Sequence, residues 1–256
     1  MGQHSIGVVA AMPQEIAPFL RRISRYSKER MHGCNLYRFE MAGIPVALIE
    51  SGMGPKHAAA ATAALIASAA PSCLLNFGFA GGVLPGTAVG DLVLAERVLY
   101  LEDGRLNEMP PPDPRLTRLV AEALAPAPLT LQQGTFVTAA VITNKTTLAG
   151  LLDAVVKHPM LEMETAALLQ VAAAAGVPVV ALRGVSDAAG EELGFSLEEF
   201  CDGELRISVP RVLKTIVMKP WIIPQLIRLS GNTKRAGESL ALGAELALKA
   251  LCAPPP

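Results

Sequence analysis

The chain has 256 residues, 51% of them hydrophobic and 18% charged, with a formal net charge of −1. That length suits one large domain or two small ones, and such a chain buries roughly 70–75% of its unfolded surface without disulfide or metal staples. The near-neutral charge excludes the broad electrostatic pull that drives binding to nucleic acid.

From the amino terminus, "MGQHSIGVVAAM" carries no basic region followed by a leader-length apolar core, so no signal peptide is expected. The stretch 5–12 predicts a short buried strand, and a helical pattern follows from about Gln14 to Ile23. "IPVALIESG" (44–52) reads as a strand stopped by glycine, and 56–70 as an alanine-rich helix. "CLLNFGFAGG" (73–82) predicts a strand ending in a glycine-rich turn, and 90–100 another strand. Pro110 to Pro114 reads as a loop inside the same domain. A helix is predicted over 162–176 and a strand over 177–187. Apolar strands alternating with helices indicate an α/β protein with a largely parallel sheet covered on both faces. No apolar run reaches the ~18 residues of a spanning helix. The cysteines Cys34, Cys73, Cys201 and Cys252 have no CxxC or Cys/His metal spacing and read as reduced, packing thiols.

In such sheets ligands bind where strands end and helices begin. That rule selects Met12–Glu15, Ser51–Lys56, Gly78–Gly82 and Ser186–Asp187, with the loop before Glu162 on the same rim. "SGMGPKH" has His57 where a dinucleotide fingerprint needs its third glycine, and no phosphate-binding P-loop or GxSxG elbow is present. His4, His32, His57 and His158 lack the carboxylate or cysteine company of a triad or metal site. What remains is a set of carboxylates at strand ends: Glu15, Glu162, Glu164 and Asp187. Singly, each reads as a helix cap. Together, near apolar walls, they read as groups with separately tuned acid and base roles.

"IGVVAAMPQEI", "VALIESGMGPKHAA", "NFGFAGGVLPGTAVGDLVLA", "LEMETAAL" and "PVVALRGVSDAAGEE" occur in that order. The set resembles the purine nucleoside phosphorylase/nucleosidase superfamily, and within it the methylthioadenosine/S-adenosylhomocysteine nucleosidases. The resemblance covers about residues 5–200 and implies a three-layer α/β fold around a central mixed, partly barrel-like sheet. It also implies a homo-oligomer that cleaves the N-glycosidic bond of an adenosyl-type nucleoside in the cytoplasm, with no metal or organic cofactor. By the same resemblance Asp187 is the proton donor to the purine, Glu164 the ribose ligand and Glu15 the group that orients the attacking water. Met163 packs on the sugar, and Met53, Gly54, Phe79, Ala80, Gly81 and Ser186 line the substrate. Glu162 is left between the pocket wall and the helix cap.

Two departures matter. Phe79 stands where the family turn carries a small hydroxyl residue, and Asn76 where a phosphorolytic branch has arginine. Phe79 is expected to leave the acceptor site drier or reshaped, and the loss of the cation at Asn76 favours water over phosphate, since a phosphate dianion needs Arg, Lys or a helix terminus; Lys56 offers partial compensation. The second departure is a basic amphipathic insertion at about 204–235. It holds seven Lys/Arg (206, 211, 214, 219, 228, 234, 235) and no Asp or Glu from 206 onward. Val212, Leu213, Ile216 and Val217 form one apolar face, and Trp221, Ile222, Leu226 and Ile227 continue it after Pro220. This pattern suits a packing or subunit-interface helix, or peripheral contact with a membrane surface. The longer tail also resembles the hopanoid-associated phosphorylases, which keeps phosphorolysis of a lipid-linked adenosyl group as an alternative. A non-catalytic nucleoside-binding protein is the alternative outside enzymology.

Overall fold

The computed structural model describes residues 4–141, 143–153, 155–191, 215, 218–219 and 222–253. Strand β1 (Ile6–Ala10) is buried along its whole length and leads into helix α1 (Pro13–Leu20), with proline at its first position. Proline is favoured there because its missing N–H has no helical partner to lose. β2 (Ser27–Met31), β3 (Cys34–Met41) and β4 (Ile44–Glu50) form a meander. Its two turns, His32-Gly33 and Ala42-Gly43, hold successive φ values of 48° and 84°, and of 51° and 79°. Two positive φ angles in a two-residue loop give the hairpin twist that matches antiparallel strands.

Helix α2 (Pro55–Ala69) follows, then β5 (Cys73–Gly82). β6 (Leu92–Glu102) and β7 (Arg105–Glu108) make a hairpin, and α3 (Pro114–Leu124) starts where Asp113 accepts the amides of Arg115 and Leu116. β8 (Leu131–Ala139), the short α4 (Lys145–Ala149), β9 (Met160–Glu162), α5 (Thr165–Ala174) and β10 (Val179–Asp187) complete the sheet region. The last described element is the 30-residue helix α6 (Ile223–Cys252).

β10, β6, β8, β9 and β5 pair in that order, and β5 also pairs with β10, which closes a five-strand ring. From β5 the sheet continues outward through β1, β4, β3 and β2. Pairing is mixed: β1–β5, β5–β10, β6–β8 and β8–β9 are parallel, whereas β5–β9 and β6–β10 are antiparallel. The partly barrel-like sheet implied by the resemblance is therefore present, and the parallel character read from periodicity holds for only part of it.

Helices lie on both faces. One core gathers Ile16 and Phe19 of α1, Val120 and Leu124 of α3, and the α6 face Leu240, Ala244 and Leu248 against the sheet. The other packs Ala61 and Leu65 of α2 with Leu168 and Leu169 of α5. Along α6 the buried residues Ala236, Leu240, Ala244, Ala247 and Leu251 recur at three- or four-residue steps, the spacing of one helical stripe.

Much of the predicted basic segment, including Arg206, Arg211–Lys214, Ile216, Val217, Pro220 and Trp221, lies outside the described residues. Its described end does not keep the predicted stripe. Ile222 is fully buried while Ile227 is 69% exposed, because α6 starts at Ile223 and turns its faces according to the core it meets. Cys34, Cys73 and Cys252 are free thiols, and Cys201 lies outside the described residues.

Candidate active site

The site is built on an interrupted strand edge. β1 pairs with β5 as far as Asn76, and β9 takes up the same strand at Gly81 and Gly82. Between them Phe77–Ala80 has neither partner, so its backbone groups on that edge must bond elsewhere. Glu15, in the first turn of α1, meets that need. Its Oε1 accepts the Phe79 amide at 2.8 Å, and its Oε2 accepts the amides of Ala11 and Met12, both at 2.8 Å. The carboxyl lies against Gly78, where a Cβ would come within 2.7 Å of Oε1. Burial raises the Glu15 pKa, opposed by the Phe79 amide and the positive charge of Arg183.

Phe79 thus serves Glu15 through its backbone. Its ring packs on the larger core, near Pro18 and Gly237 of α6. The amide hydrogen bond is one that any residue except proline could make.

Behind the rim is a buried polar cluster. The Arg183 Nη2 of β10 donates to Glu162 Oε2 at 2.7 Å, to Thr165 Oγ1 at 2.7 Å and to Asn76 Oδ1 at 2.9 Å. Its guanidinium carbon lies 5.6 Å from the centre of the Phe136 ring, within cation–π range. Glu162 also receives the Thr138 hydroxyl, the Thr165 hydroxyl at 2.7 Å and the amides of Glu164 and Thr165 at 3.0 and 2.9 Å. Burial works against this carboxylate, yet Arg183 and these donors carry its pKa below the ordinary value. Of the two roles predicted for Glu162, the helix cap is the one its bonds make. Asn76, read as a missing arginine, bolts this cluster to β1 by donating to the Val9 carbonyl at 3.1 Å.

Glu164 stands at the N-cap of α5 and accepts the Gly54 amide at 2.9 Å. Gly54 caps α2 with φ of 94°, in the region glycine favours. Burial, with the neighbouring charge of Glu162 next, pushes the Glu164 carboxyl up to about 8; Glu15 adds to the rise. Glu15 and Glu164 therefore share one electrostatic environment. Met163, between the two glutamates, is half-buried.

Asp187 ends β10 beside the other end of the same β5 segment. A Cβ on Gly81 would lie 2.6 Å from its Oδ2. Ser186 Oγ sits 2.6 Å from Asp187 Oδ1 and 3.4 Å from the Ala80 carbonyl. Lys145 of α4 pairs with Asp187 Oδ2. Gly78 and Gly81, three residues apart on β5, thus leave the room against which Glu15 and Asp187 respectively lie. A cleft of about 560 Å³ opens next to this rim, lined by Met12, Ser51, Gly52, Met53 and His57 together with the β2–β3 hairpin.

Arg183 and Lys145 are the residues the sequence reading misses. Arg183 lies inside an apolar strand run, where the unusual placement of a charge was itself the signal. Lys145 belongs to no motif. Among the described residues no group of three or more His, Cys, Asp or Glu side chains is placed to hold a metal ion.

The chain belongs to the phosphorylase superfamily, which it matches over residues 5–217. It is 30% identical over 235 residues to the 5'-methylthioadenosine/S-adenosylhomocysteine nucleosidase of Geobacillus kaustophilus, covering 83% of this chain and 97% of that one. The same fold occurs in the Campylobacter jejuni 5'-methylthioadenosine/S-adenosyl homocysteine nucleosidase, with TM-score 0.74, 20% identity and coverage of 96% and 99%. It also occurs in the Neisseria meningitidis nucleosidase in complex with methylthio-immucillin-A, with TM-score 0.73, 22% identity and coverage of 96% and 98%.

The Glu164 carboxyl holds its proton more tightly in the folded chain than its ordinary value of 4.5 allows. Its contribution to folding is full below that value and is lost as pH rises through about 8. In thermal melts of the ligand-free protein across this window, Glu164→Gln should lose less stability with rising pH than the wild type. Parallel declines in the two proteins would contradict the assignment.

Proposed function

We propose that this chain hydrolyses the N-glycosidic bond of an adenosyl-type nucleoside and releases the free base. The observation that carries the reading is that Glu15 and Asp187 lie against Gly78 and Gly81 of β5, with Glu164 near enough to Glu15 to feel its charge. The named activity of the Geobacillus kaustophilus relative supports it.

Departure of a purine leaves positive charge on the ribose and negative charge on the base. Glu164 takes the ribose side. Its carboxyl is held near neutrality by burial, so hydroxyl donors and a developing oxocarbenium charge draw it into the ionised form, where it stabilises that charge best. Glu15 takes the water. Its raised pKa makes it a stronger base than an exposed carboxylate, and three amides fix its direction. Asp187 takes the purine, delivering the proton that makes the base a better leaving group. Two carboxyl roles around an oxocarbenium ion follow the logic of glycoside hydrolysis. The cleft beside Met53 gives room for a 5′ substituent.

Water is the acceptor in this reading because two cations near the rim, Arg183 and Lys145, are already engaged. Among the described residues Arg183 is held by Glu162 and Lys145 by Asp187, while Lys56 is exposed. Adenine release from methylthioadenosine should therefore proceed without phosphate. Asp187→Asn should lower kcat by ~10²–10⁴-fold. Dependence on phosphate would sink hydrolysis, and full turnover by the variant would sink the acid assignment.

The finer readings for residues 206–235 are a homo-oligomer interface and peripheral membrane contact. Met218 and Ile227, 65% and 69% exposed, support an apolar contact surface there. Replacing both with glutamate should abolish flotation with anionic liposomes if lipid is the partner, or shift the sedimentation coefficient if a second copy is. No change in either measurement would remove this surface from the account.

A further inference from the structure

The Lys145 side chain is 11% exposed, and its ammonium meets three acceptors. It pairs with Asp187 Oδ2, and it donates to the Asp187 carbonyl at 3.3 Å and the Ala188 carbonyl at 3.0 Å. An ammonium has three N–H donors, so this segment uses all of them and a ligand gains none. Gly81 makes room for the pair: a Cβ there would approach Lys145 Cε to 2.8 Å and Nζ to 3.1 Å. Lys145 can therefore act on a substrate only through Asp187.

That arrangement poses a chemical question for the proposed acid. Asp187 meets Lys145 as an ion pair, and a carboxylate has no proton to give. The pair taken together does hold one, on the nitrogen. We propose that the acid is the Lys145–Asp187 couple, with Lys145 as the positioning residue that also stores the proton Asp187 delivers. This rests on the N-glycosidic reading above.

The step balances as follows. The electron pair of the bond between the sugar carbon and the purine nitrogen moves into the purine, whose N7 becomes basic. The Lys145 proton moves to the Asp187 carboxylate, which delivers it to N7 and is left a carboxylate again. Water bonds to the sugar carbon and gives a proton to Glu15. The neutral Lys145 amine and the Glu15 carboxyl then exchange protons with solvent after the products leave.

Other groups near the couple do not compete for this proton. β5 contributes Gly81 and Gly82, the loop after it Thr87, and β10 Ser186. Glu191, beyond the strand, accepts from Asn232 of α6 at 2.9 Å. Among the described residues the ion pair made by Asp187 is with Lys145.

The test measures adenine release from methylthioadenosine over about pH 5 to 9, with melting temperature as the check on folding. Lys145→Met removes the stored proton. Its turnover should fall ~10²-fold or more at about pH 8, with KM within ~3-fold of wild type. Lys145→Arg keeps charge and donors but cannot release a proton, so it should be equally poor at that pH. A Lys145→Met profile matching wild type would overturn the couple. So would full rescue by arginine, which would leave positioning alone. If the wild-type chain releases no adenine while folded, the function itself fails and the couple with it; if Asp187→Asn is impaired but both lysine variants are not, only the couple fails.

Discussion

The site depends on a buried ion pair. Arg183 and Glu162 are almost wholly removed from solvent, with side-chain exposures of 1% and 0%. Burying two charges costs several kcal/mol per ion unless partners fill the remaining donors and acceptors. Here the partners come from separate strands of the closed ring. Asn76 belongs to β5, Thr138 and Phe136 to β8, Glu162 to β9 and Arg183 to β10, with Thr165 at the start of α5. The pair is therefore less a source of stability than a means of fixing register, since a slip of one residue in any of these strands would strand a charge. One donor, Arg183 Nε, has no hydrogen-bond partner, a cost borne inside the cluster next to the site.

Around that pair three nearby carboxyls differ in state, with burial the largest influence on each. Glu162 is satisfied and held ionised. Glu164, two residues on, feels burial and the negative charge of Glu162, and is pushed toward neutrality. Glu15 is also raised by burial but is aimed by backbone amides. Burial thus raises Glu15 and Glu164 while Arg183 and the surrounding donors hold Glu162 below its ordinary value, so chemically identical side chains differ in state. Asp187 belongs to a second, smaller pair at the other end of the opened β5 segment, so the two ends of the rim are controlled by separate cations.

The sequence makes the strands bearing the site legible because they are unbroken apolar runs. β5 falls on the predicted 73–82, and β10 within the predicted 177–187. The β2–β3–β4 meander is only partly legible. β2, "SKERM", is mostly exposed and lacks an apolar face to read, and its turns use His-Gly and Ala-Gly rather than Asn-Gly or Asp-Gly. β8 goes unpredicted because polar residues open the strand, and α3 is passed over although Leu116, Val120 and Leu124 recur at helical spacing. The closing β5–β10 contact joins strands about a hundred residues apart and has no local signature. At the site, motif resemblance selects the carboxylates, but it does not reveal the cations that tune them. Arg183 and Lys145 act through partners on other elements: the charge of Arg183 inside an apolar run is its one trace in the sequence, and Lys145 belongs to no motif. Phe79 shows the opposite case, a side chain that drew attention while its amide does the local work.

The most direct measurement of this account is urea unfolding and adenine release for Arg183→Met. Removing the cation should cost about 3–5 kcal/mol, as an uncompensated buried carboxylate does, and should lower turnover in the fraction that remains folded. The Glu162→Gln/Arg183→Met pair should recover much of the stability without recovering turnover. A single variant with wild-type stability and wild-type turnover would contradict the claim that this ion pair organises the site.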